Sequence, residues 1–175
     1  TNTDKLLFFK DECKKLGFKV LKPDINHSGS DFVVEDGNIR YALGAVKGVG
    51  EANMRAIVAE REAHGPYKDI SDFIHRTDIK QINRRQLEQL IKAGAFDCLE
   101  KNRGRLFANV ETIMRHIASS SELKTSEQAS LFGNEELHAK VKLADKPDWP
   151  ELEKLKLEAE AIGFYLSAHP FDSYG

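Results

Sequence analysis

Lys47-Gly48-Val49-Gly50 is the stretch of this sequence best equipped for chemistry. Two glycines one residue apart let a backbone turn tightly and approach another group closely, because neither carries a Cβ. Such a turn can aim successive N–H groups at an anion. Beyond it, Met54, Ile57, Val58 and Arg61 recur at helical spacing, so a helix begins at the turn. The free amides and dipole of that helix favour a phosphate oxygen at the same point. Lys47 adds a neighbouring charge, and Val49 points inward to pin the turn to a core. A pair of helices whose glycines only permit close packing is the alternative that this short pattern leaves open.

A second block, Ile91-Lys92-Ala93-Gly94-Ala95-Phe96, resembles the first, with a helix before and after and with Lys92 placed like Lys47. It has one glycine rather than two. Two such helix-hairpin-helix units make a compact pair that holds a nucleic-acid backbone without reading bases. The net charge of −2 hides a local excess: residues 76–106 carry 8 basic and 4 acidic side chains, between flanks at −1 and −5. Arg84, Arg85, Lys92, Lys101, Arg103 and Arg105 surround the second block. Diffuse positive charge of this kind suits salt-dependent binding to phosphates. A solvated helix face is the plainer reading of the same residues.

Gln128-Ala129-Ser130-Leu131-Phe132 lies in a polar stretch where two large apolar residues have no obvious core to fill. A Gln followed three residues later by Leu-Phe is the form of peptide that docks on bacterial sliding clamps. The apolar pair enters a pocket and the amide bonds at its rim. Folding back onto the domain is the alternative. Other chemistries lack residues. No Asp-x-Asp pair is present for a two-metal site, and the six histidines show no HxH or HExxH spacing. There is no P-loop and no GxSxG. Asp69 and Asp72 follow the glycine turn at about the distance of the aspartate in base-excision glycosylases, in a segment unlike theirs.

The elements that position these residues read as mainly α. Leu6, Phe9, Cys13 and Leu16 mark a first helix ended by Gly17. Residues 20–30 read as a loop. Asp31–Val34 and Ile39–Ala42 form a β-hairpin across Asp36-Gly37, a type I′ signal. A short helix surrounds 71–75. Asn83 and Gln86 have capping-box spacing ahead of Leu87, Leu90 and Ile91, and Leu106 to Ile117 mark a longer helix. Periodicity is lost over 119–147, which reads as a flexible arm, and returns after a capping pair at Asp148 and Glu151. The 175 residues, 41% hydrophobic, suffice for one or two small domains and exclude wholesale disorder. No apolar run is long enough for a membrane. Two cysteines 85 positions apart fit a reducing cytoplasm better than a zinc ribbon or disulfide scaffold. With no initiator Met and no capping signal at Tyr174-Gly175, the chain reads as part of something longer.

Four blocks in order, residues 39–62, 82–99, 128–133 and 160–174, resemble the C-family replicative DNA polymerases of bacteria, the polymerase III alpha subunits. Residues 10–37 resemble the end of that family's fingers domain. The resemblance implies a division into a fingers end (1–38), a tandem helix-hairpin-helix domain (39–118), a clamp-binding arm (119–147) and a segment leading to an OB-fold (148–175). It implies that Lys47, Gly48, Val49, Gly50, Arg84, Arg85, Lys92, Gly94, Arg103 and Arg105 face double-stranded DNA. Gln128, Ala129, Ser130, Leu131 and Phe132 would face the sliding clamp (the beta subunit). The remaining polymerase domains and the replicase holoenzyme are the other implied partners. Catalytic carboxylates and their Mg²⁺ would lie upstream, leaving this piece without catalysis or cofactor of its own. The family's peptide commonly has Leu where Ala129 stands, so one apolar contact is lost.

Overall fold

A computed structural model describes the backbone over residues 2–125 and 139–166, and side chains over 8–124 and 139–166. Seven α-helices among these residues carry the fold: α1 (Asn2–Lys15), α2 (Glu51–His64), α3 (Ile70–Arg76), α4 (Arg84–Ala93), α5 (Arg103–Ala108), α6 (Val110–Thr125) and α7 (Glu151–Ile162). Gly17, at φ 85°, ends the first as its sequence predicts. The Asn83–Gln86 capping box forms in both directions, so α4 starts where local chemistry says it should.

The hairpin forms too. β2 (Val33–Glu35) pairs antiparallel with β3 (Asn38–Arg40), across Asp36 at φ 50° and Gly37 at φ 78°. Both turn residues hold the positive φ that a type I′ turn needs. A third strand, β1 (Val20–Leu21), adds parallel to β3, so part of the expected loop is sheet. The loop that follows is tightly bonded. Ser28 Oγ accepts from the Asp24 amide and donates to the Tyr41 carbonyl, both at 2.8 Å. Arg61, placed by its period on the apolar face of α2, is buried and donates to the Ile25 and Ser28 carbonyls.

α4 is the central helix and packs against α5, α6 and α7. Leu87, Leu90 and Ile91 on its inner face join Ile57, Phe73, Phe96, Leu106 and Ile113 in one core. Fully burying a side chain of this size contributes about 1.5–3 kcal/mol each. The core does not stop at residue 38. Ile25 is wholly buried, its amide donates to the Ala95 carbonyl at 2.8 Å, and Tyr41 donates to the Ile162 carbonyl at 2.8 Å.

The arm departs from expectation at both ends. α6 runs on to Thr125. Residues 140–148 lie on the body as a strap: Val141 N donates to Ser71, Ala144 exchanges two hydrogen bonds with Asn109, and Leu143 is buried. Sequence period misses this because the strap is irregular and its partners are remote. Asp148 does not cap α7, whose N-cap is Pro150 without a side-chain bond. It accepts instead from the Gly104 amide in the first turn of α5. Gln128 to Phe132, with residues 167–175, lie outside the described residues.

Candidate nucleic-acid interface

The first hairpin is built on a short 3-10 turn, Leu43–Ala45, rather than a full preceding helix. Gly48 and Gly50 take φ of 77° and 80°, values that only glycine adopts without strain. Between them Val49 is fully buried, while Lys47, Gly48 and Gly50 are exposed. One anchored residue thus holds an outward-facing loop. Gly50 is the N-cap of α2 and has no side chain to satisfy that helix's first amides. They stay open to an acceptor from outside. Glu51, in the first turn, is paired with Arg55 at 2.6 Å, which offsets its charge.

α4 holds the loop from beneath. Gln86 Nε2 donates to the Val49 carbonyl at 2.5 Å, and Gln89 Nε2 donates to the Lys47 carbonyl at 2.9 Å. The same Gln86 accepts from its own N-cap amide and from Asn53 on α2. Lys47 N donates to the Ala161 carbonyl at the end of α7. These bonds turn the Lys47 and Val49 carbonyls inward, and the Val49 amide closes the turn on the Val46 carbonyl at 3.2 Å. Sequence reading missed Gln86 and Gln89 as supports, since a polar residue on an amphipathic helix looks like surface. The capping-box spacing is the only signal for Gln86.

The exposed Arg85 lies against the loop. A Cβ on Gly48 would come within 2.9 Å of its Nε, the movable end of an exposed side chain, so it is the φ of 77° that calls for glycine there. No carboxylate is paired with Arg85 among the described residues. Arg84, also exposed, pairs with Glu111 at 2.8 Å and approaches Glu88. Surface pairs of this type are worth about 0–1 kcal/mol and exchange readily. Lys92 is half-buried, its ammonium 5.7 Å from the Phe107 ring centre.

Three of the residues expected at DNA, Gly94, Arg103 and Arg105, are engaged by other parts of the protein. Gly94 is in the left-handed region at φ 85° and buried, but as the C-cap of α4 its amide is used by Leu90 and Ile91. Arg103 covers it. That arginine is 4% exposed, bonded to Asp97 at 2.7 Å and to Glu158 at 2.9 Å. Burial works against its charge, but Asp97 and then Glu158 outweigh this and raise the guanidinium above its ordinary value. Arg105 is turned to the strap, donating to the Leu143 and Ala144 carbonyls, with Glu100 and Asp145 nearby. The second unit therefore has the turn without an open amide face. The helix after it starts only at Arg103. Part of the basic middle is internal bracing.

Asp69 and Asp72 do not assemble a catalytic base. Asp69 caps α3 by accepting from the Asp72 amide, and it pairs with Lys140. Asp72 accepts from the Lys68 amide and pairs with Arg76 at 3.1 Å. Among the described residues no three His, Cys, Asp or Glu gather as metal ligands, and no helix is long and apolar enough to cross a membrane.

A buried hydrophobic residue between two positive-φ glycines, opening onto a helix N-terminus, defines a helix-hairpin-helix protein. The chain belongs to that family, whose motif model matches residues 17–106, just over half of the sequence. The match begins within the segment assigned above to the fingers end. Nearly the whole chain is similar to DNA polymerase III subunit alpha. The identity is 44% over 175 residues in Neisseria meningitidis serogroup B, 40% over 177 in Vibrio cholerae and 39% over 172 in Caulobacter vibrioides. These alignments cover 98–99% of this chain, which spans about 15% of the length of those relatives.

Proposed function

We propose that this chain is the duplex-gripping and clamp-tethering segment of a bacterial replicative DNA polymerase. The observation that carries the reading is the Lys47–Gly50 loop, held by Val49, Gln86 and Gln89 with Arg85 beside Gly48. Its free amides and those of the α2 N-terminus donate to one phosphate, and Lys47 and Arg85 flank it with charge. Arg84 and Lys92 add a weaker field. Binding is to backbone, so it is insensitive to base sequence. Template-directed nucleotidyl transfer, with its Mg²⁺, belongs to the longer polymerase in the bacterial cytoplasm and not to these residues. Gln128, Leu131 and Phe132 dock the sliding clamp in this reading. Two modest grips suffice, because tethering raises effective concentration.

Gly50→Val tests the DNA grip. A Cβ at Gly50 meets nothing within 4 Å, so it projects into the space a phosphate needs. Duplex affinity, measured by fluorescence anisotropy, should fall about tenfold in a variant with an unchanged circular dichroism spectrum. Arg85→Gln should lower the salt slope by about 0.9. Full affinity in both folded variants would mean that the helices only join domains. The clamp grip is tested by calorimetry with the clamp, where Leu131→Ala with Phe132→Ala should abolish the heat of binding.

A further inference from the structure

The Lys47–Gly50 loop has a full helix after it but only the turn Leu43–Ala45 before it. Something else must fix its approach side. Two donors there reach the end of α7. Lys47 N donates to the Ala161 carbonyl at 2.9 Å. Tyr41 Oη shares its proton between the Ile162 carbonyl at 2.8 Å and the Ala45 carbonyl at 3.2 Å. A helix leaves its last carbonyls without partners of its own. In α7 the Ala159 carbonyl accepts from the cap residue Gly163, and those of Ala161 and Ile162 are satisfied by the approach to the hairpin. Tyr41, Ala161 and Ile162 are wholly buried, so water is not at hand to replace these bonds. Burial also raises the pKa of the Tyr41 hydroxyl above its ordinary value, which keeps it a donor.

We infer that the last turn of α7 stands in for the missing first helix of the hairpin, and that Tyr41 is a positioning residue for the phosphate loop. Its effect on DNA rests on the hairpin reading, whereas the brace itself belongs to the free protein. α4 holds the same loop through Gln86 and Gln89, and α4 packs on α7, so loop, α4 and α7 form one closed set of contacts. A loop that loses one of its supports samples several positions, and a phosphate binds only the fraction that is correctly placed. Loss of the brace therefore weakens binding by lowering that fraction. It leaves the number of phosphate contacts in the bound state, and with it the salt slope, unchanged. Removing a basic residue that touches phosphate changes both.

The test uses the 175-residue chain and a blunt duplex. Tyr41→Phe keeps the ring between Phe32 and Phe164, whose centroids are 5.2 and 6.1 Å away, and removes only the hydroxyl. Hydrogen exchange of the Lys47 amide, read by NMR, should speed up about fivefold more than that of Leu90 in α4, the worth of one hydrogen bond. Duplex affinity should fall by about the same factor, with an unchanged salt slope. Gly163→Ala, strained by a φ of 108°, displaces the end of α7 and should act in the same direction. Equal acceleration at Lys47 and Leu90 would overturn the brace, since Tyr41 would then serve global stability alone. A lower salt slope in Tyr41→Phe would overturn the positioning role. So would full affinity in Tyr41→Phe beside a weakened Gly50→Val. If Gly50→Val also keeps full affinity, the hairpin reading fails, and the exchange rates alone decide whether α7 holds the loop.

Discussion

Arg103 shows how charge and exposure part company at the scale of one residue. Its guanidinium is inside the protein, between Asp97 and Glu158. Removing one member of such a buried group strands the others, at a cost of about 3–5 kcal/mol. Arg103→Gln should therefore lower the melting temperature and leave the salt slope of duplex binding unchanged. Calorimetry beside anisotropy titrations at several salt concentrations would check this, and a reduced slope with normal melting would return Arg103 to the interface. Lysine or arginine counts along a sequence cannot see this difference, because burial depends on Glu158, 55 positions away. Val49 was legible for the opposite reason. A hydrophobic residue between two glycines has one sensible direction to point.

Among elements, what was legible followed range. The capping box and the Asp36-Gly37 turn are closed by neighbours in the chain, so their residue types announce them. β1 is two residues long and takes its partner from 19 positions on, which leaves no local pattern to read. The strap is the clearest case. Asp69, Ser71, Asn102, Gly104 and Asn109 hold it, from two separate parts of the chain. It brings its own pH dependence. Burial opposes the charge on Asp148, but the Gly104 and Trp149 amides and Lys154 outweigh it and lower its pKa. Asp69 is lowered in the same sense, against burial, by Lys140 and the Asp72 amide. A folded value below the unfolded one, near 3.9, gives stability that is present above that pH. It is lost as pH falls through the folded value. Thermal melts from pH 5 to pH 2 should show a shallower loss for Asp148→Asn than for the parent chain. Parallel curves would remove the strap from the acid response.

The whole molecule is organised around contacts between distant parts of the chain. α7 closes it. Leu155, Glu158, Ala161 and Ile162 are buried, and the last carbonyls of α7 accept from Tyr41 and Lys47. A chain stopped at residue 125 keeps the hairpin sequence but loses this lid over α4. It should melt broadly, without a single cooperative transition, by circular dichroism. A sharp transition in the shortened chain would show that α2 to α6 stand alone. The Tyr41–Ile162 bond joins residues 121 positions apart. On a ribosome that adds 5–20 residues each second, the two ends of that bond emerge roughly 6–24 s apart. For that interval Tyr41 and the core around it have no final cover. Nascent chains of this segment should then depend on chaperone occupancy until α7 clears the exit tunnel, and slow codons placed between α6 and α7 would prolong that dependence.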